Sequence, residues 1–286
     1  MFKSRFLIVL LCLLSDAVTA QLLEDSPYTP GKDADIDMYM ANWKESMPRH
    51  THGALVERDI LTRGNQLNPP QKGAVLEFVK RFSRATLDVG AQTTPTTLAG
   101  EQEAFYVISG KGTVSGGDVT YDVSPDVVFL VPEGLEFVMK TVGDEPLAMY
   151  LVCEPTTPGF KPRKDLYVTS EANVPFNSFI SHWNYQEKDL LVSSHGFSIL
   201  HAVITLTLDP MTIGQPHSHV KGCEEVWTTI SGDNIAWLGK QLRDQPPGTA
   251  YMIPPDGKTN HSNINWSKTG QVKMLYFSVR QDITGQ

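Results

Sequence analysis

The sequence predicts an all-β protein: two tandem β-barrels behind a short, mostly irregular N-terminal lead-in. Three observations carry that reading. From about Gly73 onward, short apolar runs such as AFYVISG, VVFLVPEG, EEVWTTISG and VKMLYFSVR alternate with Gly-, Pro- and Asp-bearing turns, the pattern of an antiparallel sandwich or barrel. No stretch has the amphipathic period and length of a core helix. Finally, the chain repeats itself. EQEAFYVISGKG, a gap and VSPDVVFLVPEGLEF in the first half match CEEVWTTISGDN, a gap and QPPGTAYMIPPDGKTNH in the second.

The elements follow in order. Residues 1–20, MFKSRFLIVLLCLLSDAVTA, read as a signal peptide. Lys3 and Arg5 form the positive start, Phe6 to Leu14 an apolar run, and Val18-Thr19-Ala20 a small-residue site before Gln21. The run is about half of the ~20 residues that span a bilayer, and Leu11 sits where a lipid-attachment motif wants Gly or Ala before Cys12. The expectation is a secreted or periplasmic protein, cleaved after Ala20, with no membrane contact thereafter.

Residues 21–75 form the lead-in, with a short helix expected near DIDMYMANWKESM. The first barrel is expected over 76–160 and the second over 161–286, with the boundary near TTPGFKPRK. Cys153 and Cys223 read as a buried strand residue and a loop residue rather than as a disulfide. The formal net charge of −8, without basic runs, excludes a nucleic-acid footprint. The expected partner is a small-molecule substrate.

The chemistry lies in PHSHVKGCEEVWTTISG, residues 216–232. On a strand, residues i and i+2 face one side, ~6–7 Å apart, so His217 and His219 can converge on one ion. A carboxylate from the next strand and an imidazole from a later one complete a set open on one side. Such a set suits one divalent transition metal: Mn, Fe, Ni, Cu or Zn.

The second motif reads GTAYMIPPDGKTNHSNIN, from Gly248 through Pro254, Gly257 and His261 to Asn265. With both motifs in view, the second half resembles a cupin domain and the whole chain a bicupin, two double-stranded β-helix (jelly-roll) barrels in tandem. The family pattern is His-x-His, three or four residues, Glu, six residues, Gly, followed by a second motif carrying a late His. Here the second motif has one extra residue on each side of Gly257. The first fits with either Glu224, four residues after His219, or Glu225, six before Gly232.

Strand register favours Glu225, because a one-residue slip sends a side chain to the opposite face, whereas extra loop residues cost little. The resemblance therefore implies a metal set of His217, His219, Glu225 and His261. Trp227 and Thr229 share the inward face and are candidate pocket residues. Glu224 turns away, and would serve as a weak acid or base only if the strand frays at its start.

The first half keeps the frame without the ligands. Glu103 stands in the register of Glu225, but no histidine precedes it in QTTPTTLAGEQ. Glu136, two residues after Gly134, stands where the late histidine belongs, followed by Phe137. This barrel is expected to be metal-free. The segment HTHGALVERDILTRG satisfies the first motif on paper with His50, His52, Glu57 and Gly64. A strand turning Glu57 inward would also bury Asp59 and Arg63, so the segment is assigned to the lead-in. His182, His195 and His201 precede the second barrel's ligand strand; His201 is within reach of the pocket, but the structural reading is favoured for all three. The two sequons at Asn260 and Asn265 fall inside the second metal motif, where a glycan does not fit.

Fold alone does not choose a reaction. Proteins similar in architecture include oxalate oxidases and decarboxylases, quercetin dioxygenases and hydrolases of small nitrogen compounds. The resemblance implies a metal-dependent enzyme, dioxygenase- or oxidoreductase-like, acting on a small oxygen-rich organic acid or phenolic. A non-catalytic sugar or organic-acid binding module and a lyase or isomerase on acidic sugar fragments remain open. Pairing of subunits into a homodimer is a further implication of the resemblance.

Overall fold

The computed structural model describes residue 29 and residues 32–177 and 183–281. The expected signal peptide and His182 lie outside the described residues. Helix is confined, among the described residues, to four single 3-10 turns: Ile36–Met38, Trp43–Glu45, Glu171–Asn173 and Ser193–His195. Everything else regular is strand, so the chain is all-β. The expected helix near residues 35–47 is two such turns around the strand Met40–Asn42. Asp35 and Asn42 cause this: their side chains accept from the backbone N–H groups of Asp37 and Lys44, closing local turns that compete with a continuing helix.

Each half builds a large sheet and a four-stranded sheet. In the first half the large sheet runs Tyr167–Ser170, Val127–Val131, Glu101–Ser109, Leu147–Pro155, Arg81–Leu87, Leu55–Arg63, Arg49–Thr51, with Ala74–Leu76 alongside Leu55–Arg63. In the second it runs Met40–Asn42, Thr249–Met252, Cys223–Ser231, Val272–Arg280, Leu200–Leu208, Tyr185–Val192. The repeat reaches single residues. Gly110 and Gly232 end equivalent strands at φ 77° and 94°, and a Cβ there would lie 2.2 Å from the Pro146 carbonyl oxygen and 2.5 Å from that of Gln271. Neither site admits another residue without moving backbone.

Strand alternation sorts the apolar residues into three cores. One fills the first barrel (Leu55, Phe105, Val107, Phe129, Met149) and one the second (Leu206, Trp227, Tyr251, Met274). The third lies between the barrels, where Phe82, Tyr106 and Tyr150 of the first sheet meet Val226, Met252 and Phe277 of the second.

The two halves also exchange pieces. Met40–Asn42, from the lead-in, pairs with Thr249–Met252, while Tyr167–Ser170, past the expected boundary, pairs with Val127–Val131 of the first barrel. Glu224 reaches across to accept the backbone N–H groups of Glu77, Phe78 and Val79. Glu154 does the same in return for Ser198, Ile199 and Leu200. Each barrel's first long central strand is thus held at its start by a buried carboxylate of the other barrel. Three N–H donors offset the cost of burying each charge.

The first barrel's sheet begins at Arg49, well inside the expected lead-in. The assignment of HTHGALVERDILTRG to a segment outside the barrel is corrected here. Leu55–Arg63 is a long strand, and Glu57 is fully buried. The feared burial of Arg63 does not occur, because a bulge between Asp59 and Leu61 shifts the register and leaves Arg63 exposed. Glu57 is compensated by Arg49 and Arg81, the latter at 2.7 Å.

A candidate metal centre in the second barrel

Strand Cys223–Ser231 turns Glu225, Trp227 and Thr229 into the second barrel and sends Glu224 and Val226 outward. His261 opens strand His261–Asn265. His217 and His219 lie in a loop rather than on the expected strand. That loop is pinned by a single bridge between His217 and His261, and by the Gly257 N–H donating to the His219 carbonyl at 2.8 Å.

The four predicted ligands meet there, their ligand atoms all within 4.8 Å of one another. His261 Nε2 is 3.2 Å from His217 Nε2 and 3.3 Å from His219 Nε2. Glu225 Oε1 is 3.2 Å from His219 Nε2 and 3.4 Å from His261 Nε2. Donors ~2.1 Å from a common ion stand ~3.0–3.4 Å apart in octahedral or tetrahedral arrangement, and these separations match such edges.

Protons decide whether the group fits a cation. His217 Nδ1 faces the Gln215 carbonyl at 3.1 Å and must donate, which leaves its Nε2 bare. The Tyr251 hydroxyl donates to Asn263 Oδ1 at 2.9 Å and so receives the proton of His261 Nδ1, leaving that Nε2 bare as well. Asn263 is fixed in turn, because its Nδ2 donates to Gln245 Oε1. The Nε2 atoms of His217 and His261 face each other across 3.2 Å beside a carboxylate, positions from which both could bind one cation.

Burial opposes the charge of His219, but the contacts with Cys223, whose Sγ is 3.2 Å from Nδ1, and Glu225 prevail and lift its pKa to about 10. Glu225 is held rigidly by Trp227 Nε1, which donates to Oε1 at 2.8 Å, and by the Tyr276 hydroxyl, which donates to Oε2 at 3.0 Å. Solvent approaches from the side of His217 and His219, which are half-buried; His261 and Glu225 are buried.

The predicted pocket residues fare differently. Trp227 is buried beneath the histidines, its ring 5.7 Å from that of His261, where it orients Glu225. Thr229 accepts from Asn234 in a buried amide network and forms no cavity wall. Glu224 is committed to the other barrel.

A cavity of about 440 Å³ is lined by Glu187, Asp189, His201, Ile204, Tyr276 and Arg280, and by none of the four candidate ligands. Tyr276 links it to Glu225. Burial and the neighbouring Glu187 raise the pKa of Asp189, while burial and then Arg280 lower that of His201. Sequence reading missed Glu187, Asp189 and Arg280, and took His201 as structural. The signal was the alternation in YQEKDLLV, which places two acids on one strand face. His195 is structural: it stacks on Tyr167 and its Nδ1 accepts from the Val192 N–H. Among the described residues, Cys153 and Cys223 form no disulfide.

The equivalent place in the first barrel is built otherwise. Thr96 pairs with Phe137 as His217 bridges His261, so Phe137, not the exposed Glu136, is the counterpart of the late histidine. Glu103 receives Arg81 at 2.6 Å and His52 at 3.0 Å. Glu101, Glu103 and Cys153 also bring ligand atoms together, but the Arg81 guanidinium already stands among them.

With this geometry in hand, the relatives can be placed. Residues 83–153, within the first barrel, match the family model described as Cupin domain. By sequence, no curated protein matches the chain. By structure, it is similar to Ylba from E. coli, with TM-score 0.63, 14% identity and coverage of 89% of this chain and 96% of that one. It is similar too to the putative glyoxylate induced protein from Pseudomonas aeruginosa, with TM-score 0.65, 10% identity, and 90% and 94% covered. The oxalate decarboxylase OxdC of Bacillus subtilis gives TM-score 0.63, 13% identity, and 88% and 81% covered; a further structure of that enzyme concerns its Mn(II) centers. At such identities the likeness is one of fold. Residues 83–153 thus match the cupin domain, and across both barrels the fold of the chain is similar to that of the oxalate decarboxylase.

Proposed function

We propose that the second barrel holds one divalent transition metal through His217, His219, Glu225 and His261. On this reading the protein is an exported enzyme acting on a small oxygen-rich organic acid or phenolic, in a dioxygenase- or oxidoreductase-like reaction. The observation that carries the metal is the convergence of His217, His219, Glu225 and His261, whose ligand atoms all lie within 4.8 Å of one another. A bound ion would supply a Lewis acid with open positions for substrate and oxygen.

The chain's own contribution is positional. Trp227 and Tyr276 hold the Glu225 carboxylate from opposite oxygens, fixing the direction of its lone pairs. In the adjoining cavity Arg280 offers a fork for a substrate carboxylate. Asp189, whose raised pKa keeps its proton to higher pH, can donate to a developing anion. The ion would be Mn, Fe, Ni, Cu or Zn. The reading includes export by the leader 1–20 and, through edge strands, a homodimer.

The test is elemental analysis of the mature protein, paired with oxygen uptake on a panel of small organic acids and phenols. Close to one metal per chain, with oxygen consumed on one of the acids or phenols, supports the reading. Metal without turnover, but with saturable binding of a sugar or acid, would replace the enzyme with a binding module. Protein that gains no thermal stability from any of the five ions would end the metal assignment.

A further inference from the structure

A second site lies on the outside of the first barrel, in the seam toward the second. Strands Leu55–Arg63, Arg81–Leu87 and Leu147–Pro155 present Arg58, Arg84 and Tyr150 in one row, with Arg58 directly opposite Arg84. Like charges facing each other across an antiparallel pair destabilise it. No carboxylate relieves this pair. Arg58 donates to the Ser46 carbonyl at 2.5 Å, and Arg84 makes no hydrogen bond or ion pair among the described residues.

Both guanidinium groups instead lean on the ring of Trp43, at 6.0 and 4.9 Å. Lys44 adds a third cation over the same ring at 5.6 Å. Burial lowers the Arg84 pKa, the mark of a cation whose surroundings lack a counter-charge.

The next row on the same face is small: Val56, Thr86, Ala148 and Ser109. It leaves a groove of about 460 Å³ beside the two arginines. Glu145, the groove's single carboxylate among the described residues, is exposed at the rim and forms no ion pair.

We infer that this groove binds a small molecule carrying a tetrahedral oxyanion with three free oxygens, a phosphate monoester (a dianion) or a sulfate monoester (a monoanion). Two guanidinium forks can donate to such a group at once, which a planar carboxylate cannot accept as fully, and the phosphate dianion matches both positive charges. Thr86 and Ser109 offer hydroxyls along the groove, and Trp43 closes one end as an apolar wall. The site is on the opposite sheet face from the metal ligands' counterpart in this barrel, so its occupancy is separate from the metal reading.

The test uses the full mature chain. Inorganic phosphate and inorganic sulfate are titrated by calorimetry and thermal melting, with acetate and chloride at equal ionic strength as controls. The esters 4-nitrophenyl phosphate and 4-nitrophenyl sulfate separate the two sources of the anion. Phosphate or sulfate is expected to stabilise the chain beyond chloride and acetate. Arg58→Gln and Arg84→Gln should each weaken binding ~10-fold, and the double variant should abolish it.

Arg84→Lys keeps the charge and the fold while losing the fork, and should also weaken binding. His261→Ala should leave it intact. Equal stabilisation by all four anions, or undiminished binding in the double variant or in Arg84→Lys, would overturn the site.

Discussion

The two barrels share a frame and differ in how they answer one electrostatic problem. Each places a carboxylate, Glu103 or Glu225, at the same point inside a buried strand, and a carboxylate there requires a cation. The first barrel supplies its own: Arg81 bonds both Glu103 and Glu57, and His52 closes the other side of Glu103. The second surrounds Glu225 with three imidazoles, those of His217, His219 and His261. Phe105, Val107 and Phe137 of the first barrel stand where Trp227, Thr229 and His261 stand in the second. The comparison teaches that the absence of a metal set is not an emptied cavity. The resident barrel is filled with apolar side chains and a salt-bridged arginine.

The sharpest way to break this contrast is a matched pair of substitutions at the equivalent late position. His261→Ala should abolish metal binding, measured by elemental analysis and by loss of metal-dependent thermal stabilisation. At 1,000-fold excess over Kd that stabilisation is ~4 kcal/mol. Phe137→Ala should leave metal content unchanged and cost ~3–5 kcal/mol in urea unfolding, because it opens a cavity in a closed core. Next in size is Arg81→Met, which strands two buried carboxylates and should cost ~3–5 kcal/mol. A chain in which Arg81→Met is neutral would refute the idea that the arginine stands in for an ion.

Smaller again is Tyr276→Phe, which removes one donor from Glu225 and should weaken metal binding ~10–100-fold without loss of fold.

The smallest expected effect concerns pH. The charge of His52 is opposed by burial but favoured more by its hydrogen bond to Glu103, so its pKa is raised. A raised value means the contribution is fully present below the unfolded value of ~6.5 and is lost as pH rises through the folded one. Wild type should therefore lose stability over that rise relative to His52→Gln, in denaturant titrations at stepped pH. Parallel pH profiles would remove His52 from the charge balance.

Much of this was legible in the sequence, and the reasons are physical. The strand period, the glycines at 110 and 232 and the two motifs gave the all-β frame and the four converging side chains. Register alone put Glu225 rather than Glu224 on the inward face. What was not legible depended on neighbours distant in the chain. Nothing local to VERDIL announces that Arg49 and Arg81 wait to neutralise Glu57, or that a bulge frees Arg63. The cavity acids and Arg280 come from strands that hold no motif. Phe137, not Glu136, takes the late-histidine place: it stands three residues after Gly134, the spacing of the unextended motif, and its pairing with Thr96 agrees.

The exchanged carboxylates have a consequence for how the molecule comes apart. Glu154 and Glu224 each bind backbone amides of the opposite half, and strands 40–42 and 167–170 are likewise lent across the seam. A proteolytic cut between the halves would leave two fragments, each missing a sheet edge and an anchor for its leading strand. The chain should melt as one thermodynamic body, so that whatever tightens one end raises the melting temperature of the other.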